Sequence, residues 1–277
     1  MLSGITLETL LLVFVAGLIT DLATGLGALP FFFKDDFSDA WLVGLWGVAT
    51  GIMATASVVG LIPEGLLTGT WLEVSAGLLI GVGLVEVAGR LLDNHEVEPG
   101  EFKEADLRKL ILILGVLTVH SFPEGVAIGV SFAELGLEGG IPILGFAVPA
   151  VAITMTVAIS IHNIPEGIAI SIPFKSMGMS NWRMLGATIF SSLPQPIGAV
   201  IAFYFVREAR LFLPVGYGFA AGAMLYLVAT EFVDEAREQA ETVDDWRKPF
   251  TYGGFAGLLI MALIYLTVGD PAFLQLL

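Results

Sequence analysis

The sequence contains no cysteine and very little charge. Lys, Arg, Asp and Glu together make up 14% of its 277 residues, whereas a soluble domain carries about 25%. Such a composition cannot cover a globule with polar side chains, so it excludes a soluble enzyme. The lack of cysteine excludes a disulfide framework and a thiolate metal site.

Positive charge is the scarcer kind. The chain has 12 Lys and Arg against 27 Asp and Glu, a net charge of −15. Because binding to phosphate groups needs clustered cations, we expect no nucleic acid partner. The N-terminus also lacks a basic region ahead of its first apolar run, so we expect no cleavable signal peptide.

Apolar residues and glycine are abundant instead. Hydrophobic residues make up 56% of the chain, and 33 of its positions are glycine. A chain of this length holds about eight membrane spans of about 20 residues, and glycine suits closely packed transmembrane helices. Apolar runs between turn signals predict spans at roughly 5–29, 41–63, 71–92, 108–133, 144–173, 183–206, 212–233 and 250–269. We therefore predict an all-α polytopic membrane protein with a single transmembrane domain over 1–277.

The distribution of Lys and Arg predicts the orientation in the membrane. If the N-terminus lies outside, ten of the 12 basic residues fall in inner loops, and only Arg207 and Arg210 fall outside. We therefore expect a multi-pass protein of the cell (inner) membrane with both termini extracytoplasmic. The polar, acidic loop at 93–107, between spans three and four, would then be cytoplasmic.

Spans two and seven share a pattern. In each, a Gly-x-Met is followed by an acid at the same offset, Met53 to Glu64 and Met224 to Glu235. The two spans would cross the membrane in opposite directions, so we predict an inverted repeat of spans 1–3 and 6–8 around central spans 4 and 5. Chance similarity between helices rich in Gly and Ala is the alternative.

Two matching motifs stand deep in apolar spans, HSFPEG at 120–125 and HNIPEG at 162–167. Each places a Glu four residues after a His, so the imidazole and the carboxylate share one face of a helix. Two such helices facing each other would offer two nitrogens and two carboxylates, a ligand set for Zn²⁺, Fe²⁺ or Mn²⁺. A structural His–Glu pair is the alternative, but a buried acid costs about 2.5–3.5 kcal/mol if unpaired. The small residues Gly125, Gly129, Gly167 and Ser171 predict close approach of spans four and five.

These motifs resemble the ZIP family of divalent-metal transporters, most closely its prokaryotic members. The resemblance extends to LATGLGALPFF at 22–32 and to GIM at 51–53. It implies a binuclear metal centre inside the membrane. The first metal position would use Met53, His120, Glu124, His162 and Glu166, and the second would use Asn163 with the bridging carboxylates of Glu124 and Glu166.

The chain departs from the family pattern at two positions. Ser121 stands where members commonly carry Asn, and Gln195 stands where they commonly carry Glu. The loss of one amide and one carboxylate predicts a good first metal position and a weak or absent second one.

The resemblance implies import of a divalent metal into the cytoplasm by alternating access, with the metal as the transported substrate rather than a cofactor. Zn²⁺ is the first expectation and Fe²⁺, Mn²⁺ and Cd²⁺ are alternatives. The expected partners are the divalent metal ion, the lipid bilayer and a second copy of the chain in a homodimer. Two other functions stay open, a membrane-embedded zinc metalloenzyme that activates water and a metal sensor that binds without flux. Because the chain has no H-E-x-x-H and its symmetric motifs leave no distinct general base, we expect no enzyme activity.

Overall fold

The computed structural model describes residues 5–34, 37–92, 121–137, 140–176, 178–240 and 242–268. Within these ranges, seven helical segments are long and apolar enough to cross a membrane. They are Leu7–Phe32, Asp39–Thr68, Trp71–Arg90, Ala150–Ile172, Asn181–Glu208, Arg210–Glu238 and Arg247–Val268. They match seven of the predicted spans and confirm an all-α polytopic membrane protein. Span four is helical over 121–131, and its earlier residues, with the 93–107 loop, lie outside the described ranges.

Eleven α-helices are found among the described residues. In chain order they are α1 (Leu7–Leu26), α2 (Asp39–Thr55), α3 (Ile62–Thr68), α4 (Trp71–Leu92), α5 (121–131), α6 (Ala150–Ser176), α7 (Asn181–Ser191), α8 (Pro194–Glu208), α9 (Leu213–Leu227), α10 (Val233–Glu238) and α11 (Arg247–Val268). Short 3₁₀ helices cover Leu29–Phe32 and Arg210–Phe212.

A β-hairpin stands where span five was expected to begin. Strand β1 (Ile141–Ile143) pairs antiparallel with β2 (Phe146–Val148), and Gly145 in the turn has a φ of 85°. Pro149 then provides the first carbonyl of α6, since it accepts the N–H of Ala152 at 3.1 Å. The predicted start of this span at 144 is therefore wrong, because a short apolar run fits a strand as well as a helix.

Spans two, six and seven are interrupted in their interior. Span six breaks between the end of α7 at Ser191 and the start of α8 at Pro194, where two closely spaced prolines lack the N–H that a continuous helix needs. Spans two and seven each contain a π-helical turn, at Ala56–Leu61 and at Val228–Phe232. Such turns occur frequently at functional sites.

Two helix pairs frame the bundle, α2 with α11 and α4 with α9. Both pairs are closely packed through glycine. On α2, Gly51 contacts the backbone of Gly254, and on α9, Gly222 contacts the backbone of Leu78. The first pair joins span two to span eight, and the second joins span seven to span three. An inverted repeat would relate span two to span seven and span eight to span three, so it would relate the first pair to the second. The repeat itself stays a prediction, which this matching of pairs and π-helical turns supports.

The small residues of the two central motifs lie against other helices than expected. On α5, Gly125 and Gly129 contact backbone atoms of Gln195 and Ala199 in α8, and on α6, Gly167 contacts the carbonyl of Thr24 in α1. The prediction that these residues bring spans four and five together is therefore wrong. Small residues mark the face on which a backbone can approach, but they do not select which helix approaches.

Candidate metal centre

Two spans bring three ligand-bearing side chains to one buried point. His162 and Glu166 stand one turn apart on α6, and Glu124 comes from α5. One ligand atom from each lies within 4.8 Å of the others, and all three residues are buried. The His162 Nε2 atom is 2.9 Å from Glu124 Oε1 and 3.8 Å from Glu166 Oε2. The structure thus brings together three of the predicted ligands, a set that fits a metal site. We call them the Glu–His–Glu cluster.

Aromatic rings lie against one side of this cluster. The ring of Phe232, the last residue of the π-helical turn in span seven, stacks on His162 with centroids 6.1 Å apart and planes 27° apart. Trp46 of α2 contacts Phe232 in turn, at 5.1 Å between centroids. Because rings replace water there, charges in the cluster interact more strongly than they would in solvent.

A chain of amides extends the cluster towards α1. The Nε2 atom of Gln195 donates to Glu124 Oε2, so His162 and Gln195 engage different oxygens of this carboxylate. Asn163 Nδ2 donates to Gln195 Oε1 at 3.1 Å and to the carbonyl of Thr20 at 2.8 Å. Among the described residues, Asn163 Oδ1 has no hydrogen-bond partner, so it is available as a metal ligand.

The other predicted ligands have different surroundings. Ser121 is buried, and its Oγ donates to the carbonyl of Ser191 at 3.3 Å, at the end of α7. This bond joins α5 to α7 rather than to the cluster. Met53 is fully buried near the end of α2, in the same apolar core as Phe232. His120 lies outside the described residues, so its place in the centre stays a prediction.

Sequence reasoning missed two contacts of the centre. Phe232 is one of 19 phenylalanines in the chain, and nothing in its surroundings along the sequence distinguishes it. Thr20 contributes a backbone carbonyl, which no side-chain pattern reveals. A signal for its close packing does exist, because Gly17 and Gly25 bracket it on α1 and small residues permit backbone contact.

Comparison with known proteins finds relatives of this chain. A family model described as ZIP zinc transporter matches residues 90–265. The chain is 30% identical over 275 residues to the zinc transporter ZupT of Corynebacterium glutamicum, which covers 92% of this chain and 98% of that protein. It is 29% identical over 233 residues to the zinc transporter GufA of Myxococcus xanthus, covering 80% and 87% of the two chains. An Arabidopsis thaliana protein is 38% identical over 220 residues, which are 79% of this chain but only 33% of that longer protein.

Proposed function

The chain belongs to the ZIP zinc transporter family, and from this premise we propose that it carries Zn²⁺ across the membrane through the Glu–His–Glu cluster. The observation that carries the proposal is the convergence of two carboxylates and an imidazole from different spans at one buried point. Imidazole nitrogen and carboxylate oxygen are typical zinc ligands. A transported ion must also be released, and we expect weaker binding at a site without thiolate than at a structural zinc site.

The charges of the cluster favour a divalent cation. Two ionised carboxylates with a neutral imidazole carry two negative charges, and one Zn²⁺ cancels both. Left alone in the membrane interior, each carboxylate would cost about 2.5–3.5 kcal/mol. Fe²⁺, Mn²⁺ and Cd²⁺ have the same charge and accept the same donors, so family membership rather than the donor set selects zinc.

We assign further donors from the motif pattern. His120 stands four residues before Glu124, as His162 does before Glu166, so it would supply a second imidazole to the same ion. Met53 would add a thioether from α2. With one or both of these donors, the three described side chains would form a site of four or five protein ligands.

At the second metal position, Gln195 stands where family members commonly have the carboxylate of a Glu. Gln195 already donates to Glu124 and thereby satisfies the oxygen that a second ion would take. Ser121 turns away to Ser191, and among the described residues Asn163 Oδ1, which accepts no hydrogen bond, can still serve the neighbouring position. We therefore expect one tightly bound zinc per chain.

We propose that α5 and α6 move as a unit against the pairs α2–α11 and α4–α9, which exposes the cluster to each side in turn. The direction of transport, into the cytoplasm, follows from the family resemblance. The excess of Lys and Arg in alternate loops supports an inner-membrane protein with both termini outside and the 93–107 loop in the cytoplasm. A single transport domain and a homodimer stay predictions.

Uptake of radioactive zinc into proteoliposomes tests the proposal. We expect saturable uptake by the native chain, and uptake at the level of empty vesicles for Glu124→Gln and Glu166→Gln. Each of these changes removes a ligand charge but keeps the size of the side chain. Glu8→Gln, the same change at an exposed position on α1, is the matched control and should transport normally.

Two outcomes would contradict the assignment. Near-native uptake by either cluster variant would show that zinc crosses elsewhere. Zinc binding to the purified chain without any flux would instead support the sensor or the metalloenzyme.

A further inference from the structure

A buried carboxylate outside the cluster has no neutralising partner among the described residues. Asp21 lies inside α1 and is 1% exposed. Neither of its carboxylate oxygens has a hydrogen-bond partner in the part of the chain that the structure describes. It is also not among the three residues that converge on the zinc centre. An unpaired acid at this depth is costly, so we expect a bound cation beside it.

The packing of α1 shows what Asp21 faces. Gly17, Asp21 and Gly25 follow one another at four-residue intervals, so they form one ridge of the helix. A Cβ atom on Gly17 would lie 2.6 Å from Pro196 Cα, and one on Gly25 would lie 2.5 Å from Ile189 Cγ1. The ridge therefore runs antiparallel to span six, and Asp21, midway along it, lies opposite the break between α7 and α8.

This break is rich in oxygen atoms. Ser192, the first residue after α7, donates through Oγ to Thr24 Oγ1 at 2.8 Å, and Thr24 stands one turn from Asp21 on α1. The last carbonyls of α7 also end here, and the C-terminus of a helix carries partial negative charge. A carboxylate, two hydroxyls and a helix C-terminus together form an environment that attracts a cation.

We propose that Asp21, Thr24 and Ser192 bind a sodium ion at the break in span six, separate from the zinc centre. The donors are hard oxygens, which suit Na⁺ better than a softer transition metal. One carboxylate balances one positive charge, whereas a divalent ion would leave a net charge inside the membrane. Helix C-terminal ends beside broken helices coordinate Na⁺ in other secondary transporters.

The sodium site is connected to the zinc centre. The carbonyl of Ser192 accepts the N–H of Gln195 at 2.9 Å, and the side chain of Gln195 donates to Glu124. Sodium that orders the break would thereby position Gln195 and Glu124, so we expect Na⁺ to strengthen zinc binding. This coupling rests on the proposed function, but the sodium site itself does not.

Thermal unfolding of the purified, zinc-free chain in detergent tests the site. We expect the Tm to rise with NaCl and not with choline chloride at the same ionic strength, because a ligand of the folded state stabilises it. Asp21→Asn needs no counter-ion and should fold, but its Tm should no longer respond to sodium. Asp234→Asn, the same change at an exposed position, should keep the response.

A second variant and a direct measurement make the test independent of folding. Ser192→Ala should raise the half-maximal sodium concentration roughly 5- to 10-fold, since it removes one neutral ligand. Equilibrium binding of ²²Na⁺ should give about one ion per native chain and none for Asp21→Asn.

Equal stabilisation by sodium and choline would overturn the site. A Tm that follows pH and not sodium would also overturn it, since a proton on Asp21 would then be the neutralising charge. Loss of zinc uptake with the sodium response intact would contradict only the coupling or the proposed function.

Discussion

Replacing Gln195 by Glu should convert the centre from one metal to two. Gln195 donates a hydrogen bond to Glu124 in the native chain, and Gln195→Glu places a second carboxylate at that contact. Two like charges about 4 Å apart repel by about 4 kcal/mol at an effective dielectric constant of 20. In a chelator, the variant should therefore unfold at a lower temperature than the native chain.

Zinc should reverse this loss of stability. A second ion between Glu124 and the new carboxylate would turn the repulsion into two ligand bonds, with Asn163 Oδ1 available as a further donor. Metal analysis of the purified protein should then give about two zinc ions per chain, against about one for the native sequence. The Tm of the zinc-loaded variant should recover to the native value or exceed it.

The chain offers a matched control for this change. Gln239 Nε2 also donates to a carboxylate, Asp39 Oδ1, at 3.5 Å, but this pair is only partly buried. Gln239→Glu should cost less than about 1 kcal/mol because water screens the repulsion, and its zinc content should not change. One zinc in Gln195→Glu with an unaltered Tm in chelator would refute the reasoning about the second position.

Two further substitutions test the packing around the centre. Phe232→Ala removes the ring that stacks on His162, so we expect a loss of about 3–5 kcal/mol in unfolding free energy. We also expect faster zinc release in a stopped-flow chelator experiment, and release at the native rate would show that the ring does not retain the ion. Gly167→Ala would drive a Cβ into the carbonyl of Thr24, whereas Gly186→Ala would meet nothing within 4 Å. The first variant should yield no folded protein in detergent chromatography and the second a normal amount, and equal yields would contradict the close contact.

The sequence predicted the parts of the molecule that depend on local pattern. Hydrophobic length located the spans, because a membrane-crossing helix needs about 20 apolar residues. The spacing of His162 and Glu166 placed both side chains on one face of α6, since positions four apart are neighbours on a helix. The described residues confirm seven of the eight spans and bring His162 and Glu166 into one buried cluster, whereas their role as metal ligands stays a prediction.

The partners across helices could not be predicted in the same way. Asn163 bonds to a backbone carbonyl of Thr20, far away in the sequence, and Ser121 bonds to Ser191 rather than entering the cluster. Helical periodicity fixes which residues share a face but not which helix covers that face. The hairpin at 141–148 was missed for a related reason, since a short apolar run carries no periodicity that separates strand from helix.

The π-helical turns in spans two and seven alter which residues share a side of each span. Met53 and Glu64 stand about three α-helical turns apart in sequence, so a regular helix would align them. The π-helical turn at Ala56–Leu61 lies between them and takes up one extra residue. This residue rotates Glu64 around the helix axis by roughly 100° relative to Met53. The same displacement applies to Met224 and Glu235 across Val228–Phe232. In both halves of the protein, the methionine and the acid at this spacing therefore lie on different sides of their span.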